Sequence, residues 1–591
     1  MNIEFLSRRL TVLSLVLTGI SLILLVRLLS FQFYMDPNIK QSLEDNAESH
    51  YSQTVEVQPN RGQIYDRSLN LLAVNSYEYR IGISPNAIYD REEVARTLAP
   101  IIDVPEDEIY RKLLPGPDGT FSSWVMLASR VDYTAGQTLL DLDLGGVTID
   151  PLPIRVYPQG VLTGQIVGFY AGSESSNAGQ GYWGVEGYYQ TVLAGQSKKV
   201  TKSNIPVVEE INASSSEVRD GIDLVLTIDR DVQYLAQEIL DQAVIDQGAT
   251  GGTILIMNPR TGEILAIANN DNGRTFDPYD TSAENMALAK NPAVADLFEP
   301  GSIFKLVTMS IALEAGTHDE SWTYHDPGCF SPAGTLVCNW DSASRGNPTF
   351  AQVFIDSLNT GTSTIFMEMG RNKVYPLLDA FGIGQDTGVD IQGEQAGILP
   401  EPGDTNWNEA QFVTTSFGQG VSITPLQMLT ATNAIANDGM IMQPHIVKAR
   451  IDGDEVIETQ PVVLRRPISA DTAHRARDIM VQIVSNPSSV DLLDVPGYTI
   501  AGKTGTAQIP VPGGYDPSGS IASFIGFLPA DDPVVSILVK LDRPRDYWGS
   551  MAAAPVFEEL ARRLVVLMEI MPDNERQAMV AQGGDPFERE Y

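Results

Sequence analysis

Glu299-Pro300-Gly301-Ser302-Ile303-Phe304-Lys305 opens a predicted helix, and the rest of the chain is read outward from it. Pro300 pre-sets the backbone for a helix start. Ser302 then falls in the first turn, where free backbone N–H groups and the positive end of the dipole favour developing negative charge. Lys305, three residues on, lies on the same face. A serine hydroxyl is a poor nucleophile until a base within hydrogen-bond reach takes its proton, and a neutral lysine one turn away can do so. Ser302 is the only serine in the chain with a lysine three positions later.

Two further patterns follow in order. Ser357-Leu358-Asn359 sits in a predicted loop between helices, and Lys503-Thr504-Gly505-Thr506 follows the strand-like Tyr498-Thr499-Ile500-Ala501-Gly502. Alone, the first is an ordinary turn and the second a loop lysine. As an ordered set, the three resemble the signature of the penicillin-recognising serine acyltransferases.

That resemblance implies roles for each residue. Ser302 is the expected nucleophile, and Lys305 the general base once burial and nearby Lys503 depress its pKa. Ser357 relays a proton to the leaving amine, and Asn359 holds the substrate backbone. Lys503-Thr504-Gly505-Thr506 edges the cleft: Gly505 leaves room for an extended peptide, while Lys503, Thr504 and Thr506 meet its terminal carboxylate. The backbone N–H groups of Ser302 and Thr506 form the oxyanion hole. Leu358 departs from the paired serines common in the family at this motif.

The chain has 591 residues, 43% of them apolar, room for two to four domains with ordinary cores. Its 75 acidic and 39 basic residues give a net charge of -36, which argues against nucleic acid as a partner. All five histidines lie outside the three motifs, so a Ser-His-Asp enzyme is disfavoured; no metal-binding pattern occurs and no cofactor is expected. The two cysteines, Cys329 and Cys338, could bridge a hairpin outside the cell, with two free thiols as the alternative.

Residues 10 to 26 are almost wholly apolar, and residues 28 to 34 extend the stretch past Arg27. Seventeen residues give about 26 Å of helix, a short span that reaches full thickness if Arg27 snorkels. Arg8 and Arg9 precede it, so the N-terminus is expected in the cytoplasm and the bulk of the chain outside the cell membrane, as a single-pass protein. A cleaved signal peptide is the rival, but residues 30 to 34 lack small-residue cleavage spacing.

Between residues 40 and 220, glycine, proline and asparagine punctuate short strand-like runs with no long amphipathic helix, an extended α+β module. Its Arg61-Gly62-Gln63-Ile64-Tyr65-Asp66-Arg67, Arg155-Val156-Tyr157-Pro158-Gln159-Gly160 and Gly184-Val185-Glu186-Gly187 are similar to the pedestal motifs of class B penicillin-binding proteins. A second α+β unit begins near Asp229, which caps a predicted helix over residues 230 to 246. Predicted strands at 253 to 257, 263 to 268, 523 to 528 and 534 to 541, and a closing helix over 552 to 568, suggest one antiparallel sheet covered by helices. The expected organisation is a cytoplasmic stretch (1–9), a transmembrane anchor (10–34), a pedestal of dimerisation type (35–222), a transpeptidase domain (223–571) and an acidic, disordered tail (572–591).

The resemblance implies a membrane-anchored D,D-transpeptidase that cross-links peptidoglycan stem peptides and is acylated by β-lactams. The Glu299 to Lys305 stretch and the S-x-N motif look more like the division type than the elongation type, which implies a SEDS-family glycosyltransferase and other division membrane proteins as partners. A β-lactamase would need a carboxylate to activate water; Glu394 stands 37 residues after Ser357, but without the asparagine expected beside it. A D,D-carboxypeptidase fits the long pedestal poorly. A non-catalytic scaffold or β-lactam sensor is the reading from another class.

Overall fold

The computed structural model describes residues 3–33, 52–57, 59–173, 176–203, 218–405, 407–486 and 493–582. The chain divides into two compact units, one of residues 1–59 with 196–220 and the other of 60–195 with 221–591.

In the first unit the anchor forms a continuous helix, Ile3–Phe33, whose segment Leu10–Ser30 has a mean hydropathy of 2.5 and no buried residue. It is long and apolar enough to cross a membrane. Ser52–Val57 pairs antiparallel with Lys198–Ser203 in a two-stranded ribbon.

The second unit is built on a five-stranded antiparallel sheet in the order Ile264–Asp271, Gly251–Met257, Val535–Asp542, Gly514–Leu528, Ala501–Val511. Every residue of Gly251–Met257 is buried, because helices cover both faces. The strand's alternation sorts them: Ile254 and Ile256 join the cluster with helices Arg230–Gln247 and Ala554–Leu567, whereas Leu255 and Met257 join the cluster with Lys305–Glu314 and Pro425–Ala436. Asp229 caps its helix through hydrogen bonds from the backbone N–H of Asp231 and Val232, and Gly248 ends it at φ +56°. The sheet covered by helices that the sequence predicts is thus present.

A second sheet carries the pedestal. Asp223–Leu226 runs parallel to Ile64–Tyr65 and antiparallel to Val447–Asp452, so strands from before and after residue 222 share one hydrogen-bonded layer. The three pedestal motifs meet beside it. Glu186 is fully buried and accepts from Arg61 Nε at 2.7 Å and from Arg155 Nε at 2.9 Å, while Arg155 also donates to the Gly62 carbonyl at 2.7 Å and to Asn75 Oδ1 at 2.8 Å.

Two expectations are corrected. The pedestal does contain an amphipathic helix, Arg91–Ile102, capped by Asp90 and burying Ala95, Leu98 and Ile102; Pro100 lies within it, a residue that ordinarily argues against a helix interior. The tail is not disordered at its start. Asp573–Ala581 is helical, and Arg576, 3% exposed, pairs with Asp531 at 2.5 Å and Asp573 at 2.8 Å. An acidic composition hid one buried arginine that ties the helix down; residues 583–591 lie outside the described residues.

Candidate active site

Gly301–Phe304 forms a tight 3-10 turn that runs into helix Lys305–Glu314. Ser302 therefore stands in the turn before the α-helix rather than within its first α-turn. Gly301 has φ +57°, and a Cβ there would come within 2.9 Å of the Thr506 carbonyl oxygen. Only glycine allows this turn to lie against the Ala501–Val511 strand. Glu299 accepts from Gly420 N at 2.9 Å, and Gly301 N donates to the Gly418 carbonyl at 3.1 Å, so the turn is fastened at both ends to one glycine-rich loop.

Residues Lys305 to Leu313 are all buried, so this helix runs through the core rather than along the surface. Lys305 Nζ emerges among polar partners: the Ser357 carbonyl at 2.7 Å, Ser357 Oγ at 3.2 Å and Asn359 Oδ1 at 2.7 Å. Ser357 Oγ lies 3.2 Å from Ser302 Oγ and also receives Lys503 Nζ at 3.2 Å. Ser357 is thus the hub that joins Ser302 to both lysines. It holds φ +55°, an unusual conformation for a residue other than glycine and one that gathers at functional sites.

Burial drives the Lys305 ammonium well below the ordinary lysine range, and the neighbouring charge of Lys503 lowers it further. Burial brings Lys503 down to about 8. A neutral Lys305 has a lone pair to offer, and hydroxyl hydrogens rotate freely. The chain Ser302 O–H to Ser357 Oγ, and Ser357 O–H to Lys305 Nζ, then forms a two-step path for the serine proton.

These groups open onto a cleft of about 770 Å³. Ser302, Ser357, Asn359, Lys503, Thr504 and Thr506 all line it, so the three motifs converge as the sequence predicts. Gly505 does not line it. A Cβ at Gly505 would lie 2.4 Å from Ser523 Oγ and 2.9 Å from Ile303 Cγ2, so this glycine makes room for the Gly301–Phe304 turn and the neighbouring strand rather than for a peptide. The Ala501–Val511 strand is the sheet's edge, as expected. Asn359 also departs from expectation in part: its Oδ1 is held by Lys305, and its Nδ2 donates to the Cys338 carbonyl at 2.9 Å.

Cys329 and Cys338 are joined as a disulfide across the strand pair Cys329–Phe330 and Val337–Cys338. This hairpin brings Leu336, Cys338 and Trp340 to the cleft, where Trp340 meets Trp548 edge to face at 5.8 Å between ring centres. Neither tryptophan is signalled by a motif, because each comes from a loop with no periodic pattern. Glu394 lies outside the cleft lining and accepts from Thr387 N and Oγ1 and from Gly388 N, which makes it a loop-fixing carboxylate. Among the described residues no group of three or more acidic, histidine or cysteine side chains is arranged to hold a metal.

The pKa directions carry a test. In the roles expected from the sequence, with Lys305 as base and Lys503 meeting a carboxylate, acylation would need Lys305 neutral and Lys503 charged. The second-order acylation rate is therefore expected to rise with pH as Lys305 loses its proton and to fall as pH passes about 8, where Lys503 loses its own. Lys503→Met removes a like charge, so it should raise the pKa of Lys305 and move the rising limb to higher pH. A rising limb that stays in place would contradict this coupling.

Comparison with known proteins supplies the setting. Residues 252–562 match the penicillin binding protein transpeptidase domain, and residues 56–226 match the penicillin-binding protein dimerisation domain. The chain is 30% identical over 584 residues to stage V sporulation protein D of Bacillus subtilis, covering 97% of this chain and 88% of the relative. It is 27% identical over 529 residues to the peptidoglycan D,D-transpeptidase FtsI of Escherichia coli, covering 88% and 85%. Its fold is similar to that of penicillin binding protein 3 of Mycobacterium tuberculosis solved with aztreonam, with a TM-score of 0.66, 28% identity, and coverage of 88% and 98%.

Proposed function

The chain belongs to the class B penicillin-binding proteins and is a membrane-anchored peptidoglycan D,D-transpeptidase, and we propose from that premise that Ser302 carries the acyl group and that the wall it cross-links is septal. The observation that supports the first part is the run of contacts from Ser302 through Ser357 to buried Lys305. In the first half-reaction the Ser302 proton passes by Ser357 to Lys305 as Oγ attacks the penultimate D-Ala carbonyl. The oxyanion is received by the backbone N–H groups of Ser302 and Thr506. The same proton returns through Ser357 to the departing terminal D-Ala, whose carboxylate rests against Lys503, Thr504 and Thr506. In the second half-reaction an amine from a neighbouring strand attacks the ester and frees Ser302.

The same serine is the proposed target of β-lactams, as the aztreonam complex of the mycobacterial protein suggests for a related fold. A hydrolytic role is disfavoured, because Glu394 is held away from the cleft lining. Labelling with a fluorescent penicillin tests this: an adduct that lasts for hours supports a transpeptidase, whereas loss within minutes would turn the assignment toward a β-lactamase.

The septal role rests on the Glu299-Pro300-Gly301-Ser302 context and the S-x-N motif. With it go a cytoplasmic N-terminus, set by Arg8 and Arg9, and a SEDS-family glycosyltransferase as partner. The name of the Bacillus relative makes sporulation the specific second reading. Depletion in the native host decides: filaments lacking mid-cell wall labelling are expected, widened or rounded cells would indicate elongation, and a defect confined to spores would favour the second reading.

A further inference from the structure

One carboxylate at the cleft has no task in the chemistry described so far. Asp356 immediately precedes Ser357 and, among the described residues, is the only acidic one lining the cleft. It ends the helix Phe350–Ile355, where its backbone N–H donates to Gln352 and Phe354 carbonyls. A carboxylate at that end opposes the helix dipole, so local structure gives no reason for the acid. Among the described residues its side chain has no hydrogen bond and no ion pair. Its electrostatic neighbour is Arg345, whose guanidinium is already held by Asp341 at 2.7 Å. Burial pushes the Asp356 carboxyl up, and Arg345 only partly offsets this. The Asp356 oxygens face the open cleft rather than a closed core, so they are free to receive a ligand there.

The second half-reaction brings such a ligand. A primary alkylamine is an ammonium in neutral water, with a pKa of about 10.4 for the lysine type. Entering this cleft it would meet the positive charges of Lys503 and Arg345, both at the lining. We propose that Asp356 receives the ammonium of the acceptor strand and holds the incoming nitrogen beside Ser357. This rests on the acyl-transfer roles assigned above. Asp356 is not the base, since a carboxylate is far too weak to keep an ammonium proton. The C–N bond forms, the bond between the acyl carbon and Ser302 Oγ breaks, and the nitrogen loses two protons. One passes through Ser357 to restore the Ser302 hydroxyl, and the other leaves to solvent. Asp356 thereby favours an amine that arrives as its ammonium over water.

The test is a partition measurement on full-length protein in detergent, with a D-alanyl thioester as acyl donor at pH 7. N-acetyl-lysine amide serves as the ammonium acceptor and hydroxylamine as an uncharged one, each compared with hydrolysis of the same acyl-enzyme. Asp356→Asn is expected to lower the aminolysis-to-hydrolysis ratio about tenfold or more for the ammonium acceptor, the size of a lost charge-assisted contact. The ratio for hydroxylamine should change by less than about twofold, and Asp356→Glu should restore part of the loss. Each ratio is taken within one acyl-enzyme population, so a variant that merely lowers the folded fraction moves neither. Equal losses with both nucleophiles, or none with either, overturn the proposal. Failure of wild-type Ser302 to acylate at all would instead overturn the reading beneath it.

Discussion

Lys305→Met is expected to lower acylation of Ser302 by about a thousandfold or more while leaving the protein folded, and Ser302→Ala to abolish the covalent penicillin adduct. The two halves of the first expectation come from one fact, that Lys305 is 0% exposed. Burial favours the neutral amine that the proposed base role needs, and it also makes the lysine a poor residue for stability. Replacing a buried amine with an apolar side chain of similar shape removes the cost of keeping a polar group out of water. Against that stand the Ser357 carbonyl and Asn359 Oδ1, which lose a donor in the methionine variant. The opposing terms are each about 1 to 3 kcal/mol, so the melting temperature should move by only a few degrees in either direction. Stopped-flow acylation and thermal unfolding on the same preparation check both halves. A variant that acylates at the wild-type rate would remove Lys305 from the chemistry, and one that does not fold would show its role to be structural. Residual labelling in Ser302→Ala would place the nucleophile elsewhere.

How much of this was legible in the sequence follows from how local each constraint is. The S-x-x-K spacing is dictated by one turn of backbone, so Ser302 and Lys305 could be paired by inspection. Helix Arg230–Gln247 could be read as well, because its cap at Asp229 and its stop at Gly248 are written in adjacent residues. The hub role of Ser357 could not, since it depends on two lysines 52 and 146 residues away meeting one hydroxyl. The cleft walls are equally illegible: Trp340 and Trp548 touch only because a disulfide hairpin and the turn before Gly549 face each other across the site. Gly505 shows a subtler failure. Its small size was apparent, but whether the space served a substrate or the nucleophile turn depends on Ile303, which the motif does not mention. In the tail, composition pointed to disorder, and a single buried arginine reversed it.

Glu186→Ala is expected to be among the most destabilising single changes in the chain, by about 3 to 5 kcal/mol. Glu186 is 0% exposed, and the side chains of Arg61 and Arg155 are 8% and 2% exposed. The carboxylate answers two guanidinium groups at once, one on each oxygen. Removing it leaves two guanidinium groups largely shielded from water, which the Gly62 carbonyl, the Asn75 amide, the Glu186 main chain and the Tyr170 ring beneath Arg61 offset only in part. The contrast lies in the same layer: Arg80 and Asp150 pair at 3.3 Å with side chains 45% and 48% exposed, and Asp150→Ala should cost no more than about 1 kcal/mol. Denaturant unfolding of the two variants beside wild type checks the difference. Adding Arg61→Met and Arg155→Leu to Glu186→Ala should recover much of the loss, because the penalty belongs to the stranded charges rather than to the missing carboxylate. If the triple variant is no more stable than Glu186→Ala, the loss comes from packing around residue 186, and the network is not what joins the three pedestal motifs.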